Sequence, residues 1–145
     1  MGAIAFAGIA LAAGIAFAHV EPNPKRVEPG KRVTVEFNVE HGCGTSPTLK
    51  LTFQIPKGVK KVEPQAKAGW ATSVKRGTVI FDGGPLDAKT PDTFAIAFTA
   101  PKKKGLLVWN LIQECQQGKT RWIDRSKGAD NPPPIVGVGR KPPAV

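Results

Sequence analysis

Apolar and polar residues alternate along much of the chain in the pattern of β-strands. Every second side chain is apolar between residues 32 and 39, and the same alternation recurs over residues 49–55 until Pro56 ends it. A period of two is typical of a strand with one buried face. Further strands are predicted at residues 71–74, 78–81, 94–99 and 106–114, separated by turn signals such as DGGP (82–85) and APKKKG (100–105).

The number and spacing of these segments predict the fold class. No window has the periodicity of a long amphipathic helix, and 14 prolines and 16 glycines indicate many turns. A length of 145 residues suits one domain with a real core. We therefore predict an all-β protein, an immunoglobulin-like antiparallel β-sandwich, over residues 19–128. Residues 129–145 are too rich in proline and glycine for a strand in the middle of a sheet and are predicted to form an extended or disordered tail.

The first eighteen residues predict a targeting segment. They carry no charge and end in Ala-Phe-Ala, a pattern that fits signal peptidase cleavage before His19, although a basic stretch at the start is missing. An uncleaved membrane anchor is the alternative, but the run is near the lower length limit for crossing a bilayer. We expect an exported protein, periplasmic or extracellular, either free or associated with the membrane.

Export changes the interpretation of the two cysteines, Cys43 and Cys115. In an oxidising compartment an isolated pair far apart in sequence is most simply a disulfide. A thiolate metal site is the alternative.

The chain is strongly basic, with 21 Lys and Arg against 11 Asp and Glu and a net charge of +10. The densest basic groups, around Lys60 and at residues 102–104, flank prolines at predicted turns rather than forming one helical stripe. A solvated surface is the favoured interpretation, functional anion binding is the alternative, and no nucleic-acid partner is expected.

His19 stands where the apolar segment meets the polar chain, and cleavage would make it the first residue. A free α-amine and the ring Nδ1 of the same histidine can close a six-membered chelate ring on one metal ion. Nitrogen donors in a tetragonal arrangement suit Cu(II). The sequence contains no HExxH, CxxC, GxSxG or P-loop motif.

Residues 18–70 resemble the YcnI-like copper-binding domains. The features that carry the resemblance are a histidine directly after the signal peptide, EPG before the first long strand, the pattern T-x-x-L-x-x-x-IP-x-GV, and a later GW. The similarity continues through FDGGPL (81–86), FAIAFTAP (94–101) and IQECQQGKTRW (112–122). It implies an exported β-sandwich that binds Cu(II) through a single-histidine brace, a carboxylate after the first long strand, and a nearby tryptophan.

Some of the roles that the resemblance implies match a residue of this chain directly, and others do not. His19 matches directly, and Trp122 stands where the family has its site tryptophan, with a core role as the alternative. Many relatives carry VP-x-E where this chain has VEHGCG, so the equivalent of the family glutamate is Gly42. Glu40 and His41 are the nearby replacements. We favour His41 as the third nitrogen ligand, with Glu40 as a further donor and a hydrogen-bonded loop histidine as the alternative.

The function expected from this site is Cu(II) capture for trafficking or homeostasis, without enzymatic turnover. Lytic polysaccharide monooxygenases also begin with histidine on a β-sandwich, but the chain has no tyrosine for an axial phenol. Soft ligands for Cu(I) are lacking too, because the single methionine is Met1. A membrane copper importer or a copper chaperone is the expected partner. A metal-free exported interaction module is the remaining alternative.

Overall fold

The computed structural model describes residues 19–143, which are all-β and contain no helix. The predicted signal peptide lies outside the described residues. Within 19–143, no segment has both the helical length and the apolar character that crossing a bilayer requires. The strands in chain order are β1 (Glu21–Asn23), β2 (Arg26–Val27), β3 (Arg32–Val39), β4 (Thr48–Gln54), β5 (Lys60–Pro64), β6 (Trp70–Lys75), β7 (Thr78–Leu86), β8 (Asp92–Thr99), β9 (Gly105–Val108), β10 (Leu111–Cys115), β11 (Lys119–Trp122) and β12 (Ile135–Val138).

Two antiparallel sheets form the two layers of a sandwich. One has the strand order β1-β3-β8-β5 and the other β11-β10-β4-β7-β6. The alternation predicted for β3 is confirmed, because Val35, Phe37 and Val39 are fully buried while Thr34 and Glu36 are exposed. An extended chain turns successive side chains to opposite faces, so an alternating sequence buries one face of the strand.

Aromatic side chains join the two layers. The ring of Phe37 in the first sheet lies 4.9 Å from that of Phe53 in the second, and Phe94 lies 5.2 Å from Phe81. Such tilted and edge-to-face pairs add to the free energy gained by burying the rings. The predicted sandwich is therefore confirmed.

A third sheet corrects the prediction for the C-terminal region. β12 is the central strand of the order β2-β12-β9, parallel to β2 and antiparallel to β9, and Val136 and Val138 are buried. The expectation that no mid-sheet strand follows Lys127 is wrong. The prolines precede the strand, and Gly137 is required inside it because a Cβ there would lie 1.8 Å from the Arg140 carbonyl oxygen.

Two further predictions need correction. DGGP is a distortion inside β7 rather than a turn between strands: the pairing with β4 shifts there, and a Cβ on Gly83 would lie 2.3 Å from the Gly69 carbonyl oxygen. The single strand predicted over residues 106–114 is two strands. The chain leaves the third sheet after β9, buries Trp109 completely, and enters the second sheet as β10.

Candidate functional site

The start of the described chain lies against the end of β3. In the antiparallel register, Glu21 faces Asn38 and Pro22 faces Phe37. Extending this register by two residues sets His19 opposite Glu40. The burial pattern agrees, because Val20 is 3% exposed and would face the fully buried Val39. Directly opposed residues of an antiparallel pair point to the same face, so a register continued as far as His19 would place it on the side of the first sheet to which Glu40 points.

Glu21 joins His19 on this face, since residues two apart in a strand point the same way. Its Oε1 lies 3.7 Å from Nδ1 of His19, and its Oε2 forms an ion pair with Nζ of Lys25 at 2.5 Å. The His19 side chain is 18% exposed. We call His19, Glu21 and Glu40 the outward face. It combines one imidazole with two carboxylates.

Gly42 cannot be replaced by a side chain that binds metal. Its amide donates to the Ala88 carbonyl oxygen at 2.9 Å, which holds the residue against the loop after β7. A Cβ built on Gly42 would lie 2.1 Å from the Ser46 carbonyl oxygen and 3.0 Å from Ala88. In this loop the family's glutamate position is therefore sterically closed, and any carboxylate ligand must come from another position.

His41 turns away from the outward face. Its ring is half-buried and lies 5.9 Å from the ring of Trp122, and its Nδ1 is 2.5 Å from the Gly42 carbonyl oxygen. Neighbouring residues of an extended chain point to opposite sides, which accounts for the exposure of Glu40 beside the half-buried His41. With a proton on Nδ1 donated to the carbonyl, Nε2 is the ring nitrogen with an available lone pair.

Gln113 connects this inner group of side chains. Its Nε2 donates to the His41 carbonyl oxygen at 2.7 Å and to Oγ1 of Thr48 at 2.8 Å, and its Oε1 accepts from Nε1 of Trp122 at 2.9 Å. Gln113 is fully buried and Trp122 is 2% exposed. Both buried amide atoms and the indole N–H therefore have partners, as a stable interior requires.

The predicted disulfide is confirmed. Cys43 and Cys115 are bonded, with their Cα atoms 6.0 Å apart, and the bridge ties the loop after β3 to the end of β10. Together with His41, Gln113 and Trp122 it forms what we call the disulfide corner. The sheet register also fixes this corner, since β10 pairs with β4 on one side and β11 on the other.

A cavity of about 270 Å³ opens beside the outward face. His19 and Glu21 line one side, and prolines 132–134 and 142–143 line the other. The segments that flank β12 thus form a wall of the site. Proline side chains give this wall an apolar surface that also has little conformational freedom to lose on binding a ligand.

Two residues of these regions were not among the predicted site residues. The sequence could have indicated Glu21 as a site residue, because it stands two residues after His19 and a short strand there would put both side chains on one face. The indication for Gln113 was weaker, since its polar side chain follows the buried Leu111 at strand spacing. Within residues 19–143, no group of three or more His, Cys, Asp or Glu side chains is arranged to hold a metal. A brace that uses the terminal amine draws on a main-chain atom as well as side chains.

Solved structures similar to this chain share its sandwich fold. An uncharacterized protein from Nocardia farcinica with an immunoglobulin-like fold superposes with a TM-score of 0.72 at 17% identity, covering 83% of this chain and 98% of that one. A non-cellulosomal cohesin from the archaeon Archaeoglobus fulgidus gives a TM-score of 0.51 at 10% identity, covering 83% and 89%. A cohesin module from a Clostridium perfringens family 33 glycoside hydrolase gives 0.51 at 8%, covering 79% and 88%. At these identities the likeness shows the fold alone.

Comparison with protein families gives a match across the whole sandwich. No curated protein matches the chain. The family model described as a domain of unknown function, DUF1775, matches residues 19–79 and 77–138, so the match begins at His19 and includes β12. The chain therefore belongs to the DUF1775 family, which is the family of the YcnI-like domains.

Proposed function

We propose that this protein is exported and captures Cu(II) through His19 once that residue is the N-terminus, for copper trafficking or homeostasis. The observation that carries the proposal is the arrangement at the start of β1, where His19 and Glu21 line one cavity and Oε1 of Glu21 lies 3.7 Å from Nδ1 of His19. The β1–β3 register runs from there toward Glu40. Cleavage before His19 frees the α-amine. The amine and Nδ1 would then hold the ion, with a carboxylate as an oxygen donor beside them.

Glu40 is the carboxylate we favour as a ligand. It is exposed, it follows the end of β3, and the β1–β3 register, extended by two residues, would set it opposite His19. Glu21 is already paired with Lys25, which suits it to orienting the imidazole rather than to leaving its partner for the metal. His41 is the alternative donor through Nε2, and Trp122 behind it shields that side of the site from water.

The donor chemistry favours Cu(II) over Cu(I). Both cysteines are held in the disulfide, and the single methionine is Met1, in the segment that cleavage removes. Thiolates and thioethers are the ligands that select Cu(I), whereas imidazole, amine and carboxylate suit Cu(II). The disulfide also supports export, because such bridges persist in oxidising compartments.

Capture without turnover fits the surroundings of the site. The chain has no tyrosine to act as an axial phenol in an oxidase. The cavity beside His19 has a wall of prolines, and the charged side chains that line it are Glu21, Lys25 and Lys141. We therefore propose that the bound copper passes to a membrane importer or a chaperone.

Cu(II) titration of the exported, processed protein tests the proposal, with electron paramagnetic resonance to count bound ions and identify ligand nuclei. We expect one Cu(II) per chain, coupling to nitrogen, and negligible copper-dependent oxygen consumption with a reductant. Lys89→Ala serves as a matched surface control and should leave binding unchanged. Absence of stoichiometric binding would contradict capture, and copper-dependent turnover would replace it with oxidase activity.

The ligand set is tested by two variants. Glu40→Gln removes a carboxylate at nearly constant size, and His41→Ala removes the ring beside Trp122. A copper spectrum altered by Glu40→Gln and unaltered by His41→Ala supports the outward face. The reverse result would establish the three-nitrogen arrangement with His41.

A further inference from the structure

Four segments that are far apart in sequence meet at the end of the sandwich opposite His19. The amide of Gly30 donates to the Pro101 carbonyl oxygen at 3.0 Å, and a Cβ on Gly58 would lie 3.3 Å from the Pro101 ring. A Cβ on Gly139 would lie within 3.0 Å of both Pro29 and Lys104. These contacts join residues 29–32, 57–61, 101–104 and 139–140 into one surface, which we call the basic end.

The basic end concentrates the charge of the molecule. Its four segments contain no acidic residue, and their basic residues, all exposed, are Lys31, Arg32, Lys57, Lys60, Lys61, Lys102, Lys103, Lys104 and Arg140. The nearest acidic residues in the sequence are Glu28 and Glu63, and Glu63 pairs with Arg32 at 2.9 Å. Even with both subtracted, the basic end carries +7 of the chain's net +10. Residues that looked scattered in the sequence are thus gathered by the fold.

The form of this surface fits a flat anionic partner. Seven of its nine cations are lysines, which act as point charges on flexible stems, and these lysines come from three of the four segments. None of the four segments contains an aromatic residue on which a nucleic-acid base could stack. Lysine clusters near a bilayer bind anionic phospholipids through attraction that reaches about one Debye length, roughly 8 Å at physiological salt.

We propose that the basic end binds the anionic phospholipid surface of a membrane. β3 runs from Arg32 at this end to Val39 beside the outward face, and its eight residues span roughly 24 Å. A bilayer bound at the basic end therefore leaves His19 on the far side of the domain, facing the solution. The length of β3 lies between most of the docking surface and His19, and only the segment after Arg140, with Lys141 and Pro142, reaches the cavity beside His19. The two proposals are tested by different measurements, so either can fail without the other.

Vesicle co-sedimentation tests this proposal, with all variants carrying the same N-terminus. We expect binding to vesicles of phosphatidylglycerol and phosphatidylcholine, little binding to pure phosphatidylcholine, and release as salt rises. Replacing residues 102–104 together by alanine should weaken binding to the anionic vesicles roughly a hundredfold. Each basic residue near the membrane surface contributes a similar factor to the affinity, and the three factors multiply. Lys→Arg at the same three positions should restore binding.

The matched control removes equal charge elsewhere, by alanine at Lys89, Lys119 and Arg121, which are exposed and lie outside the four segments. This variant should keep nearly all of its vesicle binding. Equal loss in both triple variants would mean that only net charge matters, and would overturn the proposal. Equal binding to neutral vesicles would also overturn it, as would tighter binding to single-stranded DNA at the same phosphate concentration. Cu(II) titration of the alanine variant at 102–104 should match wild type.

Discussion

The outward face and the disulfide corner lie at the same end of β3 but are built in opposite ways. In the corner, buried Gln113 joins His41, Thr48 and Trp122 through hydrogen bonds of 2.7–2.9 Å, and a covalent bridge closes it. The outward face instead presents an imidazole and carboxylates beside a cavity. The corner therefore stabilises the loop after β3, whereas His19 and Glu21 line an open cavity.

Removing the disulfide should give the largest effect on stability. For the double variant Cys43→Ser and Cys115→Ser, whose cysteines are separated by 72 residues, we expect the free energy of unfolding to fall by about 4 kcal/mol. Denaturant unfolding measures this change. Copper affinity of the still-folded variant should stay within a few-fold of wild type. A large loss of affinity in folded protein would merge the two regions into one site.

Removing the His19 ring should lower copper affinity strongly and stability little, the opposite of removing the disulfide. For His19→Ala we expect copper affinity to fall more than a hundredfold, because one arm of the chelate is gone. The free energy of unfolding should change by less than about 1 kcal/mol, as at other positions outside the buried core. Calorimetric titration and denaturant unfolding of the same sample measure both. Unchanged affinity would mean that the His19 ring is not a copper ligand, and would contradict the chelate.

Trp122→Phe should lower the free energy of unfolding by less than loss of the disulfide and by more than loss of the His19 ring. It leaves Oε1 of buried Gln113 without its indole donor, so we expect a loss of about 1–3 kcal/mol in the free energy of unfolding. The same variant also tests whether the Trp122 ring lies near the bound Cu(II). If Trp122 lies near the ion, most of the fluorescence quenching caused by Cu(II) should vanish, whereas Trp109→Phe should retain it.

Glu21→Gln should give the smallest effect. The variant keeps the shape of the side chain but loses the charge that pairs with Lys25 and faces Nδ1 of His19. An outer partner of a metal ligand commonly contributes tenfold or more, and this exposed one should contribute about tenfold in copper affinity. A loss as large as that of His19→Ala would make Glu21 a direct ligand.

The local alternation of apolar and polar residues was enough to predict the two sheets of the sandwich, but not the third sheet, which contains β12. Alternation along β3 depends only on which face is buried, so the sequence displays it directly. β12 is a strand because β2 and β9 lie on either side of it. Both partners are far away in sequence, so the four residues of β12 and the prolines and glycines around them carry no local pattern that predicts this pairing. DGGP was misinterpreted for a related reason, since Gly83 lies where the turn just before β6 approaches it closely at Gly69.

The candidate site was predictable in its residue types and less so in its arrangement. His19 stood out by its position, and the cysteine pair by its number. The choice between Glu40 and His41 depends on strand register and on the steric closure at Gly42, which the sequence does not display. The gathering of basic loops opposite His19 likewise depends on topology.

The most direct measurement compares two forms of the protein that differ only at the N-terminus. Intact mass establishes where the exported chain begins, and electron paramagnetic resonance records its Cu(II) complex beside that of a form retaining Ala18. We predict that the exported chain begins with His19 and binds one Cu(II) through its amine and ring, and that the form with Ala18 loses this spectrum. Identical copper spectra from the two forms would contradict this prediction.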